Sequence, residues 1–179
     1  MKTKVILYIA ISEDGFIAGA GDNLDFLNTV QQVEGEDYGY AQFLNSIDVV
    51  LVGRKTYEKV ISMGYPYHDD KKVFVITKSQ KTSNKENFHC YTRNLVELIQ
   101  ELKTATQKNI YCDGGAELAT YLIKRNLIDQ IILSVIPLKL KRGTLLFKQG
   151  EIPQSFKWVN SVEFKSSLIQ KTFLRKEEQ

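Results

Sequence analysis

Four short segments of the chain carry glycine, cationic or hydroxyl side chains directly after apolar, strand-forming runs. They are residues 12–19, 53–56, 77–79 and 113–117. Because ligands of open α/β sheets bind where strands end, the four segments are candidates for one binding site. In residues 53–56 a strand is expected to end and a helix to begin. Free N–H groups of the helix start, two cations and a hydroxyl would then suit a phosphate.

Taken singly, each segment also has a plain structural explanation. Residues 53–56 are equally compatible with a strand-to-helix turn whose basic side chains are solvated. The glycine pair in residues 113–117 indicates either close approach of a ligand or a tight turn with positive φ. Residues 77–79 could hold a phosphate or form a solvated loop. The glycines of residues 12–19 suit either a mobile flap beside a site or a surface turn.

The elements that would position these segments follow from the hydrophobic pattern. Nearly continuous apolar runs predict buried strands at residues 5–11, 47–52, 73–77, 109–112 and 130–137. Helical periodicity predicts helices over about 37–45, from 55 to before 64, from 94, and over about 116–125. Two adjacent runs, 159–164 and 167–174, predict an antiparallel hairpin at the sheet edge. Together they predict one three-layer α/β domain over residues 1–179, with a mostly parallel sheet and helices on both faces.

Two asparagines mark helix ends. Asn94 can cap the helix that follows it, with Glu97 at the capping-box position. The residues expected to face the core from that helix are Leu95, Leu98, Ile99 and Leu102. Asn126 suits a left-handed residue that ends the last helix.

Composition narrows the class of function. The net charge of +3 is too small to indicate nucleic-acid binding without clustering of the basic residues. Two cysteines, Cys90 and Cys112, favour free thiols in a reducing cytoplasm over a disulfide scaffold. With His68 and His89 they lack the spacing of a metal site. No apolar run is long enough to cross a membrane. The expected ligand is therefore a small molecule, with no metal, nucleic acid or membrane.

Taken in order, the four segments resemble the dihydrofolate reductases and their relatives. The shared pattern is S-x-D-G-x-I-A from Ser12, then D-x-x-x-x-G-R-K-T-Y-E from Asp48, then Thr-Lys after a strand, then G-G-A-E-L from Gly114. The branch it resembles most is the C-terminal reductase domain of the bacterial bifunctional riboflavin-biosynthesis enzyme, of the RibD type. The resemblance covers roughly residues 4–175, and the ordered set is far more specific than any one segment.

This resemblance implies NADPH as the cofactor. Residues 53–56 would hold its pyrophosphate, residues 77–79 would lie beside the adenosine 2′-phosphate, and residues 114–117 would pass under it. Three small or apolar residues of the N-terminal part would line the nicotinamide, and residues 22–25 would belong to a flap. The implied cofactor-binding residues are Ala10, Ile17, Ala18, Gly53, Arg54, Lys55, Thr56, Thr77, Lys78, Ser79, Gly114, Gly115, Ala116 and Glu117.

A proton donor is expected in the helix after the flap, where dihydrofolate reductases carry one carboxylate. The candidates are Glu34, Glu36 and Asp37, and counting back along the helix favours Asp37. A buried carboxylate with a raised pKa would suit proton transfer near neutral pH. The alternative is that all three are solvated charges at a helix start.

One loop departs from the riboflavin-type pattern P-x-x-L-G-x-G-x-x-L-F. The chain has Pro137-Leu-Lys-Leu-Lys141-Arg-Gly-Thr-Leu-Leu-Phe147, so that Lys141 replaces the first glycine. Lys139, Lys141 and Arg142 form a basic cluster that could meet a substrate phosphate, a partner chain or only water. The change weakens transfer of the riboflavin-pathway substrate to this chain.

The resulting functional hypothesis is NADPH-dependent reduction of a pterin- or pyrimidine-type heterocycle. Two substrates remain open, the phosphoribosylamino-uracil of riboflavin synthesis and dihydrofolate. A nucleotide-binding or sensor protein without turnover is a further alternative. The resemblance also implies a homodimer, formed through the edge hairpin or the strand near Pro137.

Overall fold

The computed structural model describes residues 2–30, 33–64, 67–79, 86–148 and 151–177. Within these ranges the strands are β1 (Val5–Ser12), β2 (Phe16–Ala18), β3 (Ile47–Gly53), β4 (Lys72–Ile76), β5 (Phe88–Tyr91), β6 (Asn109–Gly114), β7 (Gln130–Ile136), β8 (Thr144–Leu145), β9 (Phe156–Glu163) and β10 (Ile169–Arg175). The α-helices are α1 (Tyr40–Asn45), α2 (Arg54–Ser62), α3 (Leu95–Ala105) and α4 (Ala116–Lys124). Two short 3₁₀ helices span Ala20–Asp22 and Asp25–Thr29.

Eight strands form one sheet in the order β5-β4-β3-β6-β1-β7-β10-β9. The pairs from β5 to β7 are all parallel, whereas β10 is antiparallel to both β7 and β9. The predicted mostly parallel sheet with an antiparallel C-terminal hairpin is therefore confirmed. Strands β2 and β8 form a separate antiparallel pair. Since the carboxyl ends of six parallel strands meet at one edge, the segments that follow them are brought together.

Helices cover both faces of the sheet. Helices α3 and α4 pack their buried leucines and isoleucines against one face, where Leu7, Leu51 and Leu133 contribute from the strands. On the other face, Phe43 of α1 packs with buried valines of β3 and with partly buried residues of α2. The strands between the two helical layers carry apolar side chains on both faces, because helices cover both faces. Their sequences are therefore continuous hydrophobic runs.

Most predicted elements lie where the sequence placed them. The side chain of Asn94 caps α3 by accepting from the Val96 N–H at 3.0 Å, and its amide donates to Glu97. All four residues predicted to face the core from α3 are buried. Asn126 has φ 55°, as expected of the residue that stops α4. Within the described ranges, no helix is both long and apolar enough to span a bilayer.

The helix predicted over residues 37–45 begins later, at Tyr40. Tyr38 and Gly39 have φ angles of 58° and 74°, which lie outside the right-handed helix. The Asp37 carboxylate accepts from the N–H groups of Gly39 and Ala41, so Asp37 precedes α1 and provides hydrogen-bond acceptors for N–H groups at its start. Strands β2, β5 and β8 were not predicted, because runs of two to four residues carry too little periodicity to be recognised.

Candidate functional site

One cleft of about 1740 Å³ opens at the carboxyl ends of the parallel strands. It brings the four sequence segments together. Of the fourteen residues that the resemblance assigned to the cofactor, all but Gly114 line this cleft. Gly114 lies at the end of β6 with φ 90°, directly before the lining residue Gly115, and the peptide bond between them is cis. Asp37 also lines the cleft, on a different side.

The cationic side of the cleft is built from the starts of α2 and α4. Their N-cap residues are Gly53 and Gly115, and no side chain of the described residues caps either start. The two turns pack closely, since a Cβ on Gly115 would lie 3.0 Å from Thr56 Oγ1. Two helix starts with uncapped N–H groups therefore face one space, which is the arrangement that binds phosphates. The cations that line this part are Arg54, Lys55, Lys59, Lys78 and Arg93.

The wall formed by β2 is held in place by the loop between β7 and β8. Asp14 accepts hydrogen bonds from the backbone N–H groups of Leu140 and Lys141 at 3.0 and 2.8 Å. In this loop Gly143 lies against the backbone of β2, where an added Cβ would be 2.0 Å from the Ala18 carbonyl oxygen. The loop thus fixes Ile17 and Ala18, two of the residues expected to line the nicotinamide.

Lys141 keeps the backbone conformation that a glycine would adopt, with φ 66°. Its side chain and those of Lys139 and Arg142 are exposed, and none of the three lines the cleft. The basic cluster therefore lies outside the candidate site, and replacement of the first glycine has left the loop path intact.

Asp37 does not have the properties expected of a proton donor. Its carboxylate is exposed, and the N–H groups of Ala41 and Gly39 lower its pKa by hydrogen bonding to the charged form. A buried carboxyl with a raised pKa was expected at this position. The low pKa and the exposure of Asp37 have a local cause. Because α1 begins only at Tyr40, Asp37 precedes the helix, and its carboxylate accepts from the Ala41 N–H in the first turn.

Asp113, which the sequence suggested only as part of a turn, is the carboxylate with the expected properties. It is the next-to-last residue of β6 and lines the cleft, and its carboxyl group accepts hydrogen bonds from the hydroxyls of Tyr67 and of Tyr111, the latter at 2.6 Å. Burial raises its pKa, against the opposing effect of the two hydroxyls. His68 packs edge-on against both tyrosine rings, and burial lowers its pKa. A carboxyl group whose pKa is raised by burial is thus present in the cleft.

The hydroxyl of Tyr111 can follow the protonation of Asp113. It has two acceptors, the carboxylate at 2.6 Å and the Tyr8 carbonyl oxygen at 3.2 Å. With Asp113 ionised, the hydroxyl donates to the carboxylate. With Asp113 protonated, the carboxyl donates to the tyrosine oxygen and the hydroxyl turns to the carbonyl. The Tyr111 hydroxyl therefore has a hydrogen-bond acceptor in both protonation states of Asp113. When Asp113 gains or loses a proton, only this hydroxyl has to rotate.

The remaining side of the cleft is aromatic and apolar. Tyr8, Tyr38 and Tyr40 line it, together with leucines and valines from residues 24–33 and with Ile136 and Leu168. The Gln170 amide donates to the Tyr8 hydroxyl at 2.7 Å and to the Tyr38 carbonyl oxygen at 3.2 Å. These bonds fix the aromatic wall, which can pack against a flat ring.

A family model described as the RibD C-terminal domain matches residues 66–170, more than half of the chain. The chain belongs to the RibD C-terminal domain family. A protein of Bacillus subtilis (strain 168), named uncharacterized protein YwjB, is 38% identical over 152 residues, which cover 83% of this chain and 85% of that protein.

Two solved structures extend the comparison. A protein of Shewanella sp. PV-4, whose name places it in riboflavin biosynthesis, matches with TM-score 0.87 and 29% identity, over 98% of this chain and 100% of that one. Dihydrofolate reductase from Enterococcus faecalis, in complex with NADP(H), matches with TM-score 0.71 and 17% identity, over 99% of each chain. This member of the RibD C-terminal domain family thus has the dihydrofolate reductase-like fold that its motifs indicated.

Proposed function

We propose that the protein is a cytoplasmic NADPH-dependent reductase that acts on a pterin- or pyrimidine-type heterocycle. One observation carries the proposal. A single cleft joins two uncapped helix starts and their cations, a protonatable carboxyl, and an aromatic wall beyond it. These are the three parts that a reductase of this kind needs. The likeness to an NADP(H)-bound reductase of the same fold supports the choice of cofactor.

The residues present fit NADPH. The pyrophosphate would be held by the N–H groups that begin α2 and α4, with the charges of Arg54 and Lys55 beside them. The 2′-phosphate would be held by Lys78 and by the Thr77 and Ser79 hydroxyls, which lie 3.5 Å from each other. A side chain at Gly115 would fill the space between the two helix starts.

NADPH, when bound, supplies a hydride from its nicotinamide ring. Ala10, Ile17 and Ala18 form a small, apolar wall that would exclude water from this exchange. Asp113 donates a proton to the acceptor, and Tyr67 and Tyr111 hold its carboxyl in place before and after the proton leaves. The aromatic wall of Tyr8, Tyr38 and Tyr40 would orient the flat acceptor ring.

The cofactor part of the proposal predicts a loss of affinity on truncation of Arg54. A charge-assisted hydrogen bond contributes about 1.5–3 kcal/mol, so Arg54→Ala is expected to weaken NADPH binding by about 10- to 100-fold. Thermal-shift titrations with NADPH and NADH would measure this. Wild type is expected to prefer NADPH, with about 2.7 kcal/mol of stabilisation at a hundredfold excess over Kd.

Arg142→Ala is the matched control, since Arg142 is an exposed arginine outside the cleft. Its NADPH affinity should equal that of the wild type. Equal affinities for all three proteins, or a preference for NADH, would remove the assignment of this side of the cleft to NADPH.

We also propose a homodimer that uses the free edge of β9. Seven of the eight residues of this strand are exposed, and they include Trp158, Val159 and Val162. Trp158 is 61% exposed, and large aromatic residues at such an open edge are typical of protein interfaces. Sedimentation velocity at micromolar concentration should give a dimer for wild type and a monomer for Trp158→Glu. A monomeric wild type would contradict the proposal.

A further inference from the structure

The cations that line the cleft lie on one side of it, where Glu58 and Glu117 accompany them. All lining cations of the described residues come from α2 and from the loops after β4 and β5, on the side assigned to NADPH. On the aromatic side, the ionised residues that line the cleft among the described residues are the carboxylates Asp22, Glu36 and Asp37. No Lys or Arg of the described ranges lines that side.

Four backbone N–H groups on or near the aromatic side already have side-chain partners. Asp37 occupies the N–H groups of Gly39 and Ala41, and Glu36 occupies the N–H of Tyr38 at 3.0 Å. The N–H of Asp25, in the preceding 3₁₀ helix, is bonded to the Asn23 side chain at 2.7 Å. An anionic group placed here would therefore meet carboxylates that already hold the nearest donors.

We infer that the acceptor is a planar nitrogen heterocycle without a phosphate or carboxylate group. An anionic group needs a cation or free N–H groups when it leaves water, and on this side it would instead meet like charges. The inference rests on the proposed function, because it names the substrate class of the same cleft. It disfavours both the phosphoribosylamino-uracil and dihydrofolate, which carry such groups.

The shape of the aromatic side agrees with an apolar substituent in place of the anionic one. Leu27 lines the cleft and remains 38% exposed, and Leu24, Val30 and Val33 beside it are half-buried. Apolar surface that remains open in a cleft is covered when a ligand binds. The hydroxyl of Ser134 is a neutral hydrogen-bonding group suited to the carbonyl or amine of a heterocycle.

Calorimetric titration with two matched pairs of compounds tests the inference. One pair is 5-amino-6-(5-phosphoribosylamino)uracil and its dephosphorylated form, and the other is dihydrofolate and a dihydropteridine without the glutamate-bearing tail. The protein is first saturated with NADP⁺, whose own binding is measured separately. The uncharged member of each pair is expected to bind at least about tenfold tighter. Equal or tighter binding of the charged members, or no binding of either uncharged compound, would overturn the inference.

Failure of the proposed function would look different, since NADP⁺ itself would then not bind. The same titrations would be made on the protein alone in that case, because the lack of lining cations among the described residues of the aromatic side does not involve the cofactor. Leu27→Arg supplies the missing cation and should tighten binding of the phosphorylated compound at least about fivefold. Leu27→Gln controls for the lost apolar side chain, and Met63→Arg adds the same charge at an exposed site outside the cleft. Unchanged binding in Leu27→Arg would count against the inference.

Discussion

Asp113→Asn is expected to lower the rate of acceptor reduction by about 10²- to 10⁴-fold, the usual contribution of a general acid, while NADPH still binds. Asparagine keeps the size of the side chain and can accept from Tyr67, but it has no acidic proton to donate. Steady-state NADPH oxidation with the uncharged member of either compound pair as acceptor would measure the rate. A thermal shift with NADPH would show that the cofactor side is intact.

Asp37→Asn is the matched control, because the amide oxygen of asparagine can still accept from one of the two N–H groups, those of Gly39 and Ala41, that the two carboxylate oxygens accept separately. We expect its activity to remain within a few-fold of wild type. If Asp37→Asn lost activity and Asp113→Asn did not, the donor would be Asp37, as the sequence had suggested.

The pH dependence of the wild type follows from the raised pKa of Asp113. The protonated carboxyl is the donating form, so activity should fall as pH rises through this pKa, and the fall should lie above the ordinary Asp value of about 3.9. The titratable groups that face the carboxyl are Tyr67, His68, Tyr111 and Tyr40. Cys112 belongs to the core on the opposite face of the sheet, and burial raises the pKa of its thiol to about 12. The residual activity of Asp113→Asn should be flat over the same range.

The pH dependence of the free energy of unfolding tests the raised pKa of Asp113 without any substrate. Ionising Asp113 costs more in the folded than in the unfolded chain, because burial raises the folded-state pKa. The free energy of unfolding of wild type should therefore fall as pH rises from the ordinary pKa to the raised one. Asp113→Asn should lack this contribution, which denaturant unfolding at several pH values would detect.

Gly143→Ala is expected to destabilise the protein by about 3 kcal/mol or more, since its Cβ would meet backbone that cannot rotate away. The added carbon would lie 2.0 Å from the Ala18 carbonyl oxygen and 2.9 Å from the Gly19 Cα, at φ 140°. Relief of the clash requires β2 and β8 to separate. NADPH affinity should therefore fall together with stability, which denaturant unfolding and thermal shift would show.

Gly35→Ala is the control that distinguishes the steric clash expected at Gly143 from the backbone strain of a positive φ angle. Gly35 also has a positive φ of 76°, but nothing lies within 4 Å of its added Cβ. We expect this variant to cost only about 1–2 kcal/mol, the strain of a left-handed residue with a side chain. Similar losses in the two variants would mean that the contact with β2 is not what Gly143 provides.

Local sequence signals were sufficient for most of the fold. Buried parallel strands such as β1 are apolar over nearly their whole length, and α3 carries its own cap, so these elements follow from neighbouring residues. The helix start at Tyr40 was missed because the positive φ angles of Tyr38 and Gly39 depend on the hydrogen bonds of Asp37. Strands β2 and β8 exist only by pairing with each other across the chain. No local pattern encodes such a pair.

The candidate site also contains parts that neighbouring residues determine and parts that only the folded chain brings together. The two turns proposed to bind phosphate consist of consecutive residues, which is why residues 53–56 and 113–117 could be recognised from the sequence. The surroundings of Asp113 depend on Tyr67, which lies 46 residues away and whose hydroxyl reaches the carboxyl only in the folded chain. A strand-end carboxylate directly before the glycine pair was the one available signal for this residue.

The central position of β1 has a consequence for how the protein folds. Its contacts join residues far apart in the chain, such as Lys4 with Asn109 and Val5 with Asp129, which are separated by 105 and 124 residues. Strands β3, β4 and β5 pair with much nearer partners. Because distant contacts form late, we expect β1 to join after its neighbours β6 and β7 have formed. Until then the gap between them exposes apolar residues and unpaired backbone, so refolding should be slow and most successful in dilute solution.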